Sequence, residues 1–118
     1  MSIYKEIILD NYKHPKNRGK VKGYTHTAHV TNPLCGDEFT VYLKMKGTVI
    51  QGISYEGEGC AISTASSSLL SEKLKGEKLE SIKDYEEYVQ KLLGIPLSVG
   101  RLKCALLPLQ AIEKALIK

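Results

Sequence analysis

The sequence lacks tryptophan and has a single phenylalanine among its 118 residues. Its uninterrupted apolar runs are far shorter than the roughly 18 residues that a membrane-spanning helix needs, and no charged and then apolar leader opens the chain. With 42% hydrophobic and 25% charged residues, the composition excludes a disordered tail, a collagen-like fibre and a disulfide-dense mini-protein. We therefore expect a cytoplasmic protein without membrane contacts that forms one domain over residues 1–118.

The positive charge of the chain is concentrated near its start. The net charge is +4, and all of the excess arises in residues 1–30, which contain Glu6, Asp10 and six basic residues: Lys5, Lys13, Lys16, Arg18, Lys20 and Lys22. A basic segment favours an acidic protein or a nucleic acid as partner. Nucleic acid is the less favoured of the two because few aromatic residues are available for base stacking. We therefore expect residues 13–22, called the basic arm below, to contact a protein partner.

The chain has only three cysteines, which is an odd number. Cys35, Cys60 and Cys104 form no closely spaced pair, and no secretion signal accompanies them, so a disulfide framework is not expected. Any site that they share must be assembled by the fold from three separate segments. If they do share one metal, all three sulfurs should lie within about 8 Å of one another, given metal–sulfur bonds of about 2.3 Å.

The periodicity of apolar residues predicts a mixed fold of helices and one antiparallel sheet. Alternation of Phe39, Val41, Leu43 and Met45 with outward-facing polar residues predicts a half-buried strand over residues 39–46. A tight turn at Gly47 joins it to a second strand over 49–56, and a third strand is predicted over 25–30.

Helices are predicted before and after these strands. A first helix covers residues 3–13 and ends before Pro15, and a second covers 61–74. A third helix is capped by Ser81 and ends at Gly94. A last helix is expected to begin near Cys104 or Ala105, because Pro108 is tolerated best in a first turn.

Each cysteine falls at a predicted junction between elements, and an aspartate lies near the first of them. Cys60 and Cys104 are predicted at helix amino termini, which favour the thiolate form. With Asp37, the three cysteines offer four donors, which suits tetrahedral zinc or a 2Fe-2S cluster. Taken singly, each cysteine could instead be a small buried apolar residue, and Asp37 could be a turn or capping residue.

Two other groups of polar residues are less promising as ligands. The small residues of 63–68 are expected to form a close-packed helix face rather than a binding surface. His14, His26 and His29 lie far from the cysteines in the sequence, and we expect surface or capping roles for them.

Three motifs together resemble the NifU-like (IscU/SufU) iron–sulfur cluster assembly proteins. They are Asn-Pro-Leu-Cys-Gly-Asp at 32–37, Gly-Glu-Gly-Cys-Ala-Ile-Ser-Thr-Ala-Ser-Ser-Ser at 57–68 and Arg-Leu-Lys-Cys-Ala at 101–105. The resemblance implies a compact α+β fold, with a three-stranded antiparallel sheet packed against several helices. It also implies a transient 2Fe-2S cluster, or zinc in the same site, held by Cys35, Asp37, Cys60 and Cys104.

The sequence departs from both branches of that family. The scaffold branch usually has histidine where Lys103 precedes Cys104, so it stays open whether Lys103 takes part in the site. It also has a chaperone-recognition segment where this chain has Ser-Val-Gly-Arg at 98–101. The zinc-dependent branch resembles the Arg-Leu-Lys-Cys pattern, but it normally carries an insertion between the second and third cysteines that this chain lacks.

The resemblance therefore implies one of two functions. As a scaffold, the chain would receive sulfur from a cysteine desulfurase, assemble a 2Fe-2S cluster and transfer it to acceptor proteins, and it would be a carrier rather than an enzyme. As a zinc-dependent sulfurtransferase, it would accept persulfide sulfur from the desulfurase. A purely structural zinc site is a third interpretation, and it is weakened by the exchangeable carboxylate donor. Cys35 or Cys104 is the candidate sulfur acceptor, and a monomer or a cluster-bridged dimer is expected.

Overall fold

The computed structural model of the chain describes residues 3–33 and 36–117, with only the backbone of residues 3 and 4. In chain order the elements are helix α1 (Ile3–Lys13), strands β1 (His26–Asn32), β2 (Asp37–Lys46) and β3 (Val49–Glu58), helix α2 (Ala61–Lys73), a 3-10 turn (Leu79–Ser81), and helices α3 (Tyr85–Leu93) and α4 (Val99–Leu116). The predicted α+β class and the antiparallel three-stranded sheet are confirmed.

The sheet has the order β1-β2-β3 and is antiparallel throughout. Asn32 pairs with Asp37 where β1 connects to β2, and Glu38 pairs with Glu58. The start of β2 and the end of β3 therefore meet at one end of the sheet, and Cys60 follows two residues beyond β3. This register brings Asp37 and Cys60 together, although they are far apart in the sequence.

The core lies between the sheet and the helices. Helix α4 packs against β1 and β2, and α2 packs against both α1 and α4. The alternation predicted for β2 places Phe39, Val41 and Leu43 inside, each with 0% exposure. On β3, the buried Ile50 and Tyr55 complete the apolar face of the sheet. None of the described helices combines the length and the apolar composition that a membrane span requires.

The outer face of the sheet is more covered than the alternation predicts. Tyr42 is one of the residues that alternate with Phe39, Val41, Leu43 and Met45, so the pattern predicts that it faces outward, but it is buried. Its ring packs edge-on against Tyr24 with centroids 4.9 Å apart, and Lys20 lies over the ring. Its hydroxyl donates to Glu56 at 2.6 Å. The segment that follows α1 therefore crosses this face and shields it from water, which periodicity within β2 alone does not reveal.

Two helix starts differ from the prediction. Asp84, not Ser81, caps α3, because its carboxylate accepts a hydrogen bond from Glu87 N at 3.2 Å. Ser81 lies at the end of the preceding 3-10 turn, and its hydroxyl donates to Lys78 O. The predicted end of α3 is confirmed, since Gly94 has the left-handed φ of 75° that favours glycine.

Helix α4 begins earlier than Pro108 suggests. Ser98 caps the helix, so Cys104 lies within α4 and not at its entrance, and Pro108 lies in the helix interior. Side chains from other elements bond to this part of the helix. Ser66 Oγ donates to Ala105 O at 2.7 Å, and Tyr55 OH donates to Pro108 O at 2.7 Å.

Candidate functional site

Asp37, Cys60 and Cys104 form one cluster at the end of the sheet. One ligand atom from each of the three, an oxygen or a sulfur, lies within 4.8 Å of the others. The prediction of convergence is confirmed for Cys60 and Cys104, whose sulfurs are well inside the expected limit. Cys35 lies outside the described residues, and its membership of the site stays a prediction.

Cys60 is the cap residue of α2, as the sequence predicts. Its backbone is extended (φ −69°, ψ 174°), and its sulfur accepts from Ser63 N at 3.5 Å. The free N–H groups and the positive end of the helix dipole therefore face the sulfur. Cys60 is partly exposed, so its sulfur is the more accessible of the two that the structure describes.

Asp37 is buried and only half satisfied. It is 2% exposed, and its Oδ1 accepts from Cys60 N at 2.9 Å. Its Oδ2 is buried and has no hydrogen-bond partner among the described residues. A buried carboxylate oxygen without a partner costs free energy, and next to two cysteines this orphan oxygen suits a role as a ligand to a cation. The hydrogen bond also shows that Asp37 orients the loop that carries Cys60.

Cys104 is contributed to the cluster by α4. It is 5% exposed and lies in the second turn of α4, so the expectation of a helix amino terminus at this cysteine is wrong. Its position comes from the packing of α4 against α2 and the sheet. Lys103, next to it, is exposed, which places its side chain toward solvent.

Gly59 sets the path of the chain into Cys60. A Cβ atom at this position would lie 2.2 Å from Ser63 Oγ and 2.9 Å from the Phe39 ring. Those contacts are too short for any side chain. The glycines at 57 and 59 were part of the motif, but sequence patterns do not show which neighbours exclude a side chain at 59.

The basic arm runs beside this site. Gly19 N donates to Tyr55 O at 3.0 Å, and Tyr55 N donates to Asn17 O at 2.9 Å, so the arm is hydrogen-bonded along the edge of β3. The Arg18 guanidinium donates to Gly57 O, three residues before Cys60. Lys16, Arg18, Lys20 and Lys22 are all exposed. The only strongly basic segment of the sequence therefore lies next to the candidate metal ligands.

The residues set aside as ligands take other roles. The side chains of residues 63–68 are buried, which confirms the prediction of a close-packed face. His29 Nδ1 lies 2.8 Å from Thr40 Oγ1, and His26 Nδ1 lies 2.8 Å from Thr25 Oγ1. Within the described part of the chain, the histidines do not belong to the Asp37 cluster.

The donor set defines the chemistry that the site can perform. Two sulfurs and a carboxylate oxygen, with the expected third sulfur of Cys35, suit zinc or iron rather than magnesium or calcium. Thiolates bind such metals firmly, whereas one carboxylate is the donor that exchanges most readily. Asp37 and the cysteines thus fit either zinc or an iron–sulfur cluster.

Comparison with known proteins gives consistent results. The family described as NifU-like N terminal domain matches residues 3–118. The chain is 31% identical to the zinc-dependent sulfurtransferase SufU of Bacillus subtilis, over 99% of this chain and 91% of the relative. It is 40% identical to the iron-sulfur cluster assembly scaffold protein IscU of Thermotoga maritima, over 86% of this chain and 72% of the relative.

A solved structure has the same fold. It is a candidate iron-sulfur cluster assembly scaffold protein for the SUF system from Fervidobacterium islandicum AW-1, with a TM-score of 0.78 and 30% identity. The alignment covers 98% of this chain and 97% of that one. The architecture and the sequence motifs therefore point to the same group of proteins.

Proposed function

The chain belongs to the NifU-like N-terminal domain family, and from this premise we propose that it is an iron–sulfur cluster assembly scaffold. One NifU-like domain over residues 1–118 receives sulfur from a cysteine desulfurase. It assembles a 2Fe-2S cluster as its cargo and transfers that cluster to acceptor proteins. Relatives described as scaffolds, such as IscU of Thermotoga maritima, support this proposal.

The observation that carries the proposal is the orphan oxygen of Asp37. Oδ2 is buried without a partner among the described residues, and a ligand oxygen or sulfur of each cluster member lies within 4.8 Å of the others. A permanently empty site of this kind would cost stability, since a buried carboxylate needs a compensating partner. A metal cluster that binds transiently as cargo would explain why the chain retains the buried carboxylate of Asp37.

Each residue of the site has a distinct role in this proposal. Cys60 and Cys104 supply sulfur ligands from two different helices, with Cys35 as the third. Asp37 supplies the oxygen that exchanges first and so permits release. Because Cys104 is 5% exposed, a partner would reach its sulfur poorly, and we propose Cys35 as the sulfur acceptor. The exposed cations of the basic arm would attract an acidic surface of the desulfurase.

A second candidate function is zinc-dependent sulfur transfer. The observation that favours it is the 31% identity with SufU of Bacillus subtilis over 91% of that protein. Zinc bound to the same residues would keep the cysteines as thiolates. Cys35 would then leave the metal to accept sulfur, while Asp37, Cys60 and Cys104 would retain it.

Anaerobic reconstitution separates the two functions. The reduced protein is incubated with ferrous iron, L-cysteine, a cysteine desulfurase and dithiothreitol, which supplies the two electrons that convert each persulfide sulfur to sulfide. Cluster formation is followed by visible absorption with iron and sulfide analysis. Cys60→Ser is the matched control, because it changes one ligand atom and keeps the side chain small. The scaffold proposal expects a chromophore that passes to an apo acceptor and is lost in the variant. Absence of a chromophore, together with zinc-dependent stimulation of the desulfurase, would support sulfur transfer instead.

A further inference from the structure

Helix α4 has a weak point one turn after Cys104. Pro108 has no N–H to donate to the carbonyl of Cys104, and its ring crowds that carbonyl. The helix ladder by itself therefore holds this turn less firmly than a regular helix would. Since Cys104 lies on this turn, the position of its sulfur depends on contacts made by other elements.

Two buried side chains bond to this part of α4. Ser66 Oγ donates to Ala105 O at 2.7 Å, and Tyr55 OH donates to Pro108 O at 2.7 Å. Both residues have 0% exposure, so water cannot replace either bond. Burial raises the pKa of Tyr55 well above its usual value, so the hydroxyl keeps the proton that it donates.

The two bonds connect the elements that carry the site. Ser66 lies in α2, whose cap residue is Cys60, and it bonds to the residue directly after Cys104. Tyr55 lies in β3, the strand that leads to Cys60. Each bond therefore ties the Cys104 turn to an element that has one end within two residues of Cys60.

We propose that Ser66 and Tyr55 are positioning residues, which hold the sulfur of Cys104 at its distance from Cys60 and Asp37. The inference rests on the proposed function, because it assumes that these three residues bind a metal. Removing a group that orients a ligand in this way commonly lowers metal affinity about 10- to 100-fold. The reason is that a displacement of the ligand by even ~0.5 Å disturbs the coordination geometry.

Ser67 provides a matched control within the same helix. It is 1% exposed, and its hydroxyl donates to Thr64 O at 2.7 Å inside α2. Ser67→Ala therefore removes the same kind of buried hydroxyl as Ser66→Ala, but the hydrogen bond that it deletes lies within α2. Tyr55→Phe is the second test variant, because it deletes only the hydroxyl and keeps the ring in the core.

The test is a titration of the reduced, metal-free proteins with Co²⁺ under anaerobic conditions. The d–d and sulfur-to-cobalt absorption bands report the coordination geometry, and competition with a chelator gives the affinity. We expect about a tenfold loss of affinity and shifted d–d bands for Ser66→Ala and for Tyr55→Phe. Ser67→Ala should keep the parent spectrum and an affinity within about twofold, even if its thermal unfolding shows a similar loss of stability.

The possible failures can be told apart. If the parent gives thiolate–cobalt bands and Ser66→Ala, Tyr55→Phe and Ser67→Ala all share its spectrum and affinity, the positioning role is overturned and the proposed function survives. Equal losses in Ser66→Ala and Ser67→Ala would also overturn it, because they would reflect general destabilisation. If the parent itself shows no thiolate–cobalt bands, the metal site and the proposed function both fail.

Discussion

Replacing Asp37 by asparagine should stabilise the metal-free protein and weaken its response to metal. The substitution keeps the shape of a side chain that is 2% exposed and retains an oxygen for the hydrogen bond from Cys60 N. It removes a carboxylate whose Oδ2 has no partner among the described residues. An unpaired buried charge costs several kcal/mol, whereas an unsatisfied amide costs about 1–3 kcal/mol and the weaker hydrogen bond about 1 kcal/mol.

The balance predicts a gain of about 1–2 kcal/mol in the free energy of unfolding without metal. For a chain of this length, that is a rise in Tm of roughly 4–8 °C. Saturating Zn²⁺ should reverse the order, because a ligand at 100 times its Kd adds about 2.7 kcal/mol to the protein that binds it. The parent should gain this stabilisation, and Asp37→Asn should gain much less.

Thermal unfolding followed by circular dichroism, in chelator and then across a Zn²⁺ titration with a reductant present, measures both effects. Asp84→Asn is the matched control, since Asp84 is exposed and caps α3 far from any cysteine in sequence. It should lose a little stability and leave the zinc response unchanged. If Asp37→Asn is less stable than the parent in chelator and responds to zinc as the parent does, Asp37 is only a cap for the Cys60 loop.

Two further perturbations test the path of the chain around the site and the role of the basic arm. Gly59→Ala should lower the free energy of unfolding by about 1–3 kcal/mol in urea titrations, because its Cβ would lie 2.2 Å from Ser63 Oγ. Gly100→Ala in α4 meets nothing within 4 Å, so a loss of equal size there would contradict the steric explanation. Lys16→Glu should weaken desulfurase binding about fivefold at low salt, and the difference should shrink as salt rises. Lys83→Glu is the control, because it makes the same charge change outside the basic arm. An equal loss of binding in this variant would show that the arm is not part of the interface. Arg18 is not substituted, because its guanidinium donates to Gly57 O.

Local patterns predicted the elements whose signals are strong. The boundaries of α1 agree with the prediction, and the hairpin of β2 and β3 follows from alternation around Gly47. The start of α4 could not be predicted in this way, because the rule against proline inside a helix considers only the helix itself. Ser66 and Tyr55, from other elements, bond to α4 around Pro108, and such tertiary contacts are invisible to periodicity.

In the candidate site, too, some features could be predicted from local sequence and others depend on tertiary contacts. The motifs identified Asp37, Cys60 and Cys104, and the structure brings a ligand atom of each to within 4.8 Å. The role of Cys60 as a helix cap could be predicted because it depends on neighbours in the sequence. The orphan oxygen of Asp37 could not, because it results from the register of β2 and β3 and from the burial that this register imposes.

X-ray absorption at the zinc K-edge tests the central claim most directly, because it counts the ligand atoms without any partner protein. The account predicts three sulfurs at about 2.3 Å and one oxygen at about 2.0–2.2 Å in the zinc-loaded parent. Asp37→Cys should convert this shell to four sulfurs. A parent shell with nitrogen donors from histidine or with fewer than three sulfurs, or an Asp37→Cys shell identical to that of the parent, would show that Cys35, Asp37, Cys60 and Cys104 do not form one metal site.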